Sequence, residues 1–93
     1  MTDSAAARVL VVDDDEMLRV LTGAALEAAG FSVAEADDGA RLLEVFRCER
    51  PDVVLLDVLM PELDGFAACA QLRADPLGQH VPVLMMTGLD DVE

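Results

Sequence analysis

Ninety-three residues suffice for one domain, residues 1–93, with a core of modest size, and an apolar content of 54% excludes a disordered tail. A formal net charge of −13, with no lysine in the chain, repels nucleic acid and anionic membrane surfaces and suits cations and basic partners. No stretch approaches the ~18 unbroken apolar residues of a membrane span, and Met1-Thr2-Asp3-Ser4 lacks the basic start of a secretory signal, so the expected compartment is the cytoplasm.

Residues 2–7 are small and polar and are expected to fray. Arg8-Val9-Leu10-Val11-Val12 reads as a buried strand that runs straight into Asp13-Asp14-Asp15-Glu16. A helix follows, with Leu18, Leu21, Ala25 and Ala29 at helical spacing as its core face and Gly30 placed to stop it in a left-handed cap. The acids at its start suit the positive end of the helix dipole, which is the simplest role for Asp15 and Glu16. Residues 31–36 alternate and read as a half-exposed edge strand. Asp37-Asp38-Gly39 makes a turn and caps a second helix that directs Leu42, Leu43 and Phe46 inward. Arg50-Pro51-Asp52 closes that helix.

Val53-Val54-Leu55-Leu56 is a short unbroken apolar run, the pattern of a strand buried on both faces of a parallel sheet, with Asp57 at its carboxyl end. Pro61 breaks the pattern beyond it, and Asp64 is expected to cap a third helix with Gly65, Ala68, Cys69 and Leu72 on one face. After an Asp75-Pro76-Leu77-Gly78 loop, residues 81–87 read as a fourth strand, and residues 88–93 as the start of another helix. The order predicts an α/β fold: a doubly wound parallel sheet with three right-handed crossovers. Cys48 and Cys69, with no metal-ligand spacing, are expected as small buried hydrophobes, Met60, Met85 and Met86 as core, and His80 as surface.

Open α/β sheets bind ligands at the carboxyl ends of their strands, where this chain places Asp13, Asp14 and Asp57. Neighbouring carboxylates raise one another's pKa unless a cation lies between them. A few hard oxygen ligands with room for water suit Mg²⁺ or Mn²⁺. Thr87, ending the next apolar strand, would offer a hydroxyl at the same edge. A cation, a nucleophilic carboxylate and a hydroxyl donor together point to phosphoryl chemistry.

Val11-Val12-Asp13-Asp14-Asp15, the run from Leu55 through Asp57 to Asp64-Gly65, and Met85-Met86-Thr87-Gly88 resemble the response-regulator receiver family of two-component signalling, over nearly the whole chain. The resemblance implies a flavodoxin-like sheet with strand order 2-1-3-4. It makes Asp57 the phosphoacceptor, Asp14 a direct Mg²⁺ ligand, Asp13 a ligand mainly through water, the backbone carbonyl of Leu59 a third ligand, and Thr87 the partner of the phosphoryl group. It further implies a sensor histidine kinase or phosphotransfer protein as donor, and a signalling module rather than a turnover enzyme.

Against the family pattern, the fifth strand with its lysine and the last helices are absent from these 93 residues, which leaves open a piece of a longer regulator or a shortened receiver. Without a fifth strand the fourth becomes an exposed apolar edge, so a homodimer through that strand is expected. The alternative function is a phosphorylation-impaired receiver serving as a dimerising interaction module. A haloacid-dehalogenase-like phosphatase would need an acid where Leu59 stands, and a nucleotide-binding loop would need glycines where the acids follow the first strand.

Overall fold

The computed structural model describes residues 6–57 and 65–86. Four parallel strands, β1 (Arg8–Val12), β2 (Ser32–Ala36), β3 (Val53–Asp57) and β4 (Val83–Met86), form one sheet in the order β2-β1-β3-β4. Three helices connect them: α1 (Glu16–Ala28), α2 (Leu42–Glu49) and α3 (Gly65–Ala74). Two 3-10 turns, Gly39–Arg41 and Pro76–Gly78, precede α2 and follow α3.

Side chains alternate across a strand, and the register makes the alternation coherent from strand to strand. Leu10 lies beside Ala34 and Val54, and Val12 beside Ala36 and Leu56. These residues form one core with Leu42 and Phe46 of α2 and Ala68 and Leu72 of α3, nearly all of it excluded from solvent. Burying each such leucine or phenylalanine contributes roughly 1.5–3 kcal/mol. The other sheet face carries Val9, Val11, Val33, Val53, Leu55 and Leu84, and α1 crosses its β1–β2 half.

Several expectations are corrected, the first two by that half-covering. β3 is fully buried only through Val54 and Leu56; Val53 and Leu55 on the α1 side are half-buried, because α1 lies over β1 and β2. Leu18 and Leu21 are 49% and 59% exposed and do not form the core face of α1. The helix instead meets the sheet through Gly23, the residue it buries, where a Cβ would sit 3.4 Å from side-chain atoms of Val33 and Glu35. A small residue there lets helix and strand approach closely, and Arg19 bonds across to the same strand. Cys48 is exposed, since it lies about 200° around α2 from the buried Phe46; Cys69 is half-buried. Met85, on the open edge strand, is 37% exposed rather than core.

Helix ends follow the sequence closely. Asp15 caps α1 through Leu18 N, Gly30 beyond it has φ +102°, and Asp38 caps the turn before α2 through Arg41 N. Arg50 ends α2 in the left-handed region, φ 50°. The expected Asp75–Gly78 loop is a capped 3-10 turn, and β2 and β4 are shorter than expected. His80 is exposed.

Candidate functional site

The register that aligns Val12 with Leu56 also sets the next residues side by side. Asp13 and Asp57 thus emerge at the carboxyl edge of the two central strands, and Asp14 follows on the turn into α1. Ligand oxygens of Asp13, Asp14 and Asp57 lie within 4.8 Å of one another. Asp13 is buried, Asp57 half-buried and Asp14 exposed, so the cluster grades from protein to solvent.

The turn that carries the first two acids is held from several sides. Asp13 N donates to Ala36 O at 3.2 Å, continuing the β1–β2 ladder beyond the strand. Asp15 N donates to Asp13 Oδ1 at 3.0 Å. Arg19, one turn into α1, donates from Nη1 to the carbonyl of Asp13 at 2.9 Å and from Nε to Glu35 Oε1 at 3.0 Å. Its side chain is 15% exposed, against 42% for Glu35.

Burial raises the pKa of Asp13 above its ordinary value, the Asp15 amide opposes the rise, and the neighbouring Asp57 and Asp14 charges reinforce it. A buried carboxylate is costly unless something positive or hydrogen-bonding satisfies it. Three oxygen donors graded toward solvent, with their like charges confined to a few ångströms, are the donor set a hard divalent cation takes while keeping several waters. The residues present therefore fit Mg²⁺ or Mn²⁺. A separate depression of about 220 Å³, lined by Arg19, Glu35, Ala36, Asp37, Arg41 and Val45, opens beside the acids rather than among them.

The comparisons agree with this geometry. Residues 9–93 match the response regulator receiver domain family. The chain belongs to that family. It is 45% identical over 84 residues to response regulator PleD of Caulobacter vibrioides, covering 90% of this chain and 18% of that protein. It is also 45% identical over 85 residues to response regulator MprA of Mycolicibacterium vanbaalenii, covering 91% of this chain and 36% of that one. The receiver thus spans about a third or less of the length of these relatives. Among solved structures, the chemotaxis protein CheY4 of Vibrio cholerae superimposes with a TM-score of 0.84 at 33% identity, covering 94% of this chain and 75% of that one.

Of the site residues expected from sequence, the receiver fold brings Asp13, Asp14 and Asp57 together. Leu59 and Thr87 lie outside the described residues, as do Met60, Asp64 and the segment 88–93. Arg19 and Glu35 were not foreseen as neighbours of the site. The available signal was topological: Glu35 sits on β2 beside Val11, on the face that α1 crosses, and Arg19 is one turn into that helix.

Proposed function

We propose that this receiver accepts a phosphoryl group on Asp57 from the phosphohistidine of a sensor histidine kinase or phosphotransfer protein. The observation that carries the reading is the convergence of Asp13, Asp14 and Asp57 at one sheet edge, in a chain that belongs to the receiver family. In the transfer, an oxygen of Asp57 forms a bond to phosphorus as the P–N bond of the donor breaks. The electron pair leaves with the imidazole, which takes up a proton. Asp13 and Asp14 would hold Mg²⁺, with the carbonyl of Leu59, and the bound ion would offset charge on the phosphoryl oxygens. Thr87 would donate a hydrogen bond to the transferred group.

Asp57 is phosphorylated, and water then hydrolyses the aspartyl phosphate to inorganic phosphate and the free carboxylate, so the domain works as a switch rather than a turnover enzyme. The acyl phosphate carries about 1.5 to 2 negative charges in place of the single charge of the Asp57 carboxylate, a net gain of up to about one at an edge that is already acidic, so modification should depend on the cation. Acetyl phosphate with Mg²⁺ and an intact-mass readout tests this. The expected result is gain of one phosphoryl group, lost in Asp57→Asn and when EDTA removes the cation. Unchanged mass in the folded wild-type protein would overturn the reading.

A second reading, the dimerising interaction module, draws on β4. It is an edge strand of the described sheet, and Leu84 on it is 58% exposed. Such an edge can pair with that of another copy. Light scattering over a concentration series would show a rising mass for the module and a constant monomer mass without it. No helix among the described residues is long and apolar enough to cross a membrane.

A further inference from the structure

We propose that Arg19 is a positioning residue for the divalent-cation site, holding the Asp13–Asp14 peptide so that the carboxylates on either side of it stay gathered with Asp57. The inference rests on the metal reading above and adds to it a residue that touches no ligand.

The carbonyl that Arg19 grips belongs to the peptide unit joining Asp13 to Asp14, at 2.9 Å from Nη1. Fixing that unit fixes ψ of Asp13 and φ of Asp14 together, and so the relative direction of two side chains that must share one ion. The guanidinium is itself fixed, since Nε donates to Glu35 Oε1 at 3.0 Å and the side chain is 15% exposed. Its planar fork can serve a carbonyl just beyond β1 and a carboxylate on β2 at once, which a lysine ammonium on a flexible stem does less well. Asp13 N is anchored to Ala36 O on the same β2 strand. Both ends of residue Asp13 are thus tied, through different atoms, to the strand that carries Glu35.

Charge alone predicts the opposite result from positioning, and this makes the proposal decidable. Arg19 places a positive group beside an acidic cluster, so deleting it should tighten a divalent cation if electrostatics governed. If Arg19 works by orientation, deleting it should weaken binding. Partners that orient a metal's ligands are typically worth about 10–100-fold in affinity.

The test is a calorimetric titration with Mg²⁺ alone on the wild type, Arg19→Ala, Glu35→Ala and Glu35→Gln, with amide hydrogen exchange of the metal-free proteins beside it. Arg19→Ala should weaken Mg²⁺ by about 10-fold or more although the protein becomes more negative. Glu35→Ala, which leaves the guanidinium but removes its second anchor, should weaken it less. Glu35→Gln keeps an acceptor oxygen for Nε and should recover most of that loss. Without metal, the Asp14 and Asp15 amides should exchange faster in Arg19→Ala and Glu35→Ala. Should Arg19→Ala not fold, the two Glu35 variants carry the comparison.

Unchanged or tighter Mg²⁺ binding in Arg19→Ala, with a wild type that binds, overturns the role of Arg19 and leaves the metal site standing. So does Glu35→Gln behaving like Glu35→Ala. A folded wild type that binds no Mg²⁺ overturns the metal reading itself.

Discussion

Asp13 and Asp75 are almost equally hidden, 4% and 6% exposed, and their surroundings treat them in opposite ways. Asp75, between α3 and β4, accepts the Leu77 amide at 2.9 Å and lies against the Arg47 guanidinium, with Nε 2.9 Å from Oδ2. The Leu77 amide first, and Arg47 after it, lower its pKa below the ordinary carboxylate value. Asp13 has the Asp15 amide, but burial and two acidic neighbours outweigh it and push its pKa up. One acid is completed within the fold, closing a turn. The other, among acidic neighbours, has no cationic group bonded to its carboxylate among the described residues, and its charge remains unfavourable there. Burial of a carboxylate therefore says little about its role; the partners supplied with it say most.

Removing each charge should break that symmetry most visibly. Asp13→Asn should cost more in Mg²⁺ affinity than the ~10–100-fold that an orienting partner is worth, and yet raise the thermal midpoint of the metal-free protein. The sign follows from linkage: a carboxylate whose folded pKa lies above its unfolded value costs stability at every pH where it is ionised, and the asparagine retains the oxygen that accepts the Asp15 amide. Asp75→Asn should do the reverse, lowering the midpoint and leaving Mg²⁺ affinity alone. Calorimetric titration and circular dichroism melts on both variants check this. A metal-free Asp13→Asn protein less stable than wild type would show that Asp13 is structural.

The contrast also separates what could be read in the chain from what could not. Apolar runs ending in Asp13 and Asp57 were legible because buried parallel strands leave an unbroken hydrophobic signature and a charge after one stands out. Strand order and the gathering of Asp13, Asp14 and Asp57 followed once the resemblance supplied the neighbours. The seat of α1 was not legible: its leucines repeat at helical spacing, but Gly23 and Arg19 determine which side meets the sheet. A residue that works by being small, or by reaching a carbonyl on another element, leaves no periodic trace. The pairing of Arg47 with Asp75 was hidden for the same reason, since the two are 28 residues apart.

If Asp13 awaits a cation, supplying one should stabilise the fold. A ligand that binds only the folded state, at a free concentration about 100 times its Kd, adds about 2.7 kcal/mol. For a domain of this size that is a rise in thermal midpoint of roughly 10–20 °C. Scanning calorimetry with and without Mg²⁺ should show the rise in the wild type and in Asp75→Asn, and lose it in Asp13→Asn. A midpoint indifferent to Mg²⁺ in the wild type would remove the distinction between the two acids.

The Asp75 side of the comparison can be tested through packing as well as charge. Gly78, the last residue of the turn that Asp75 caps, is buried, and a Cβ there would lie 2.4 Å from Leu72 O and 2.5 Å from Leu72 Cδ1. The obstacle includes backbone, which cannot swing aside. Gly78→Ala should therefore destabilise by about 1–3 kcal/mol, as overpacking commonly does, with no change in Mg²⁺ affinity. Equilibrium urea denaturation measures it, and a neutral outcome would show that the turn yields more readily than its contacts imply.

The smallest effect lies in the pH dependence of Asp75. Its pKa is lowered in the folded state, so its ionised form contributes stability that is fully present above the unfolded value of about 3.9 and is lost as pH falls through the lower folded value. The midpoint difference between wild type and Asp75→Asn should thus be constant from neutrality down to about pH 5 and shrink below pH 4. Asp13 moves the other way at pH values between its unfolded pKa and its raised folded one, because protonation relieves rather than removes an interaction. In metal-free Asp75→Asn, acidification should accordingly raise the midpoint before general acid unfolding sets in, and in Asp13→Asn that rise should be missing. Acid titration of the two variants by circular dichroism separates these contributions, and a rise of equal size in both would assign it to some other carboxylate.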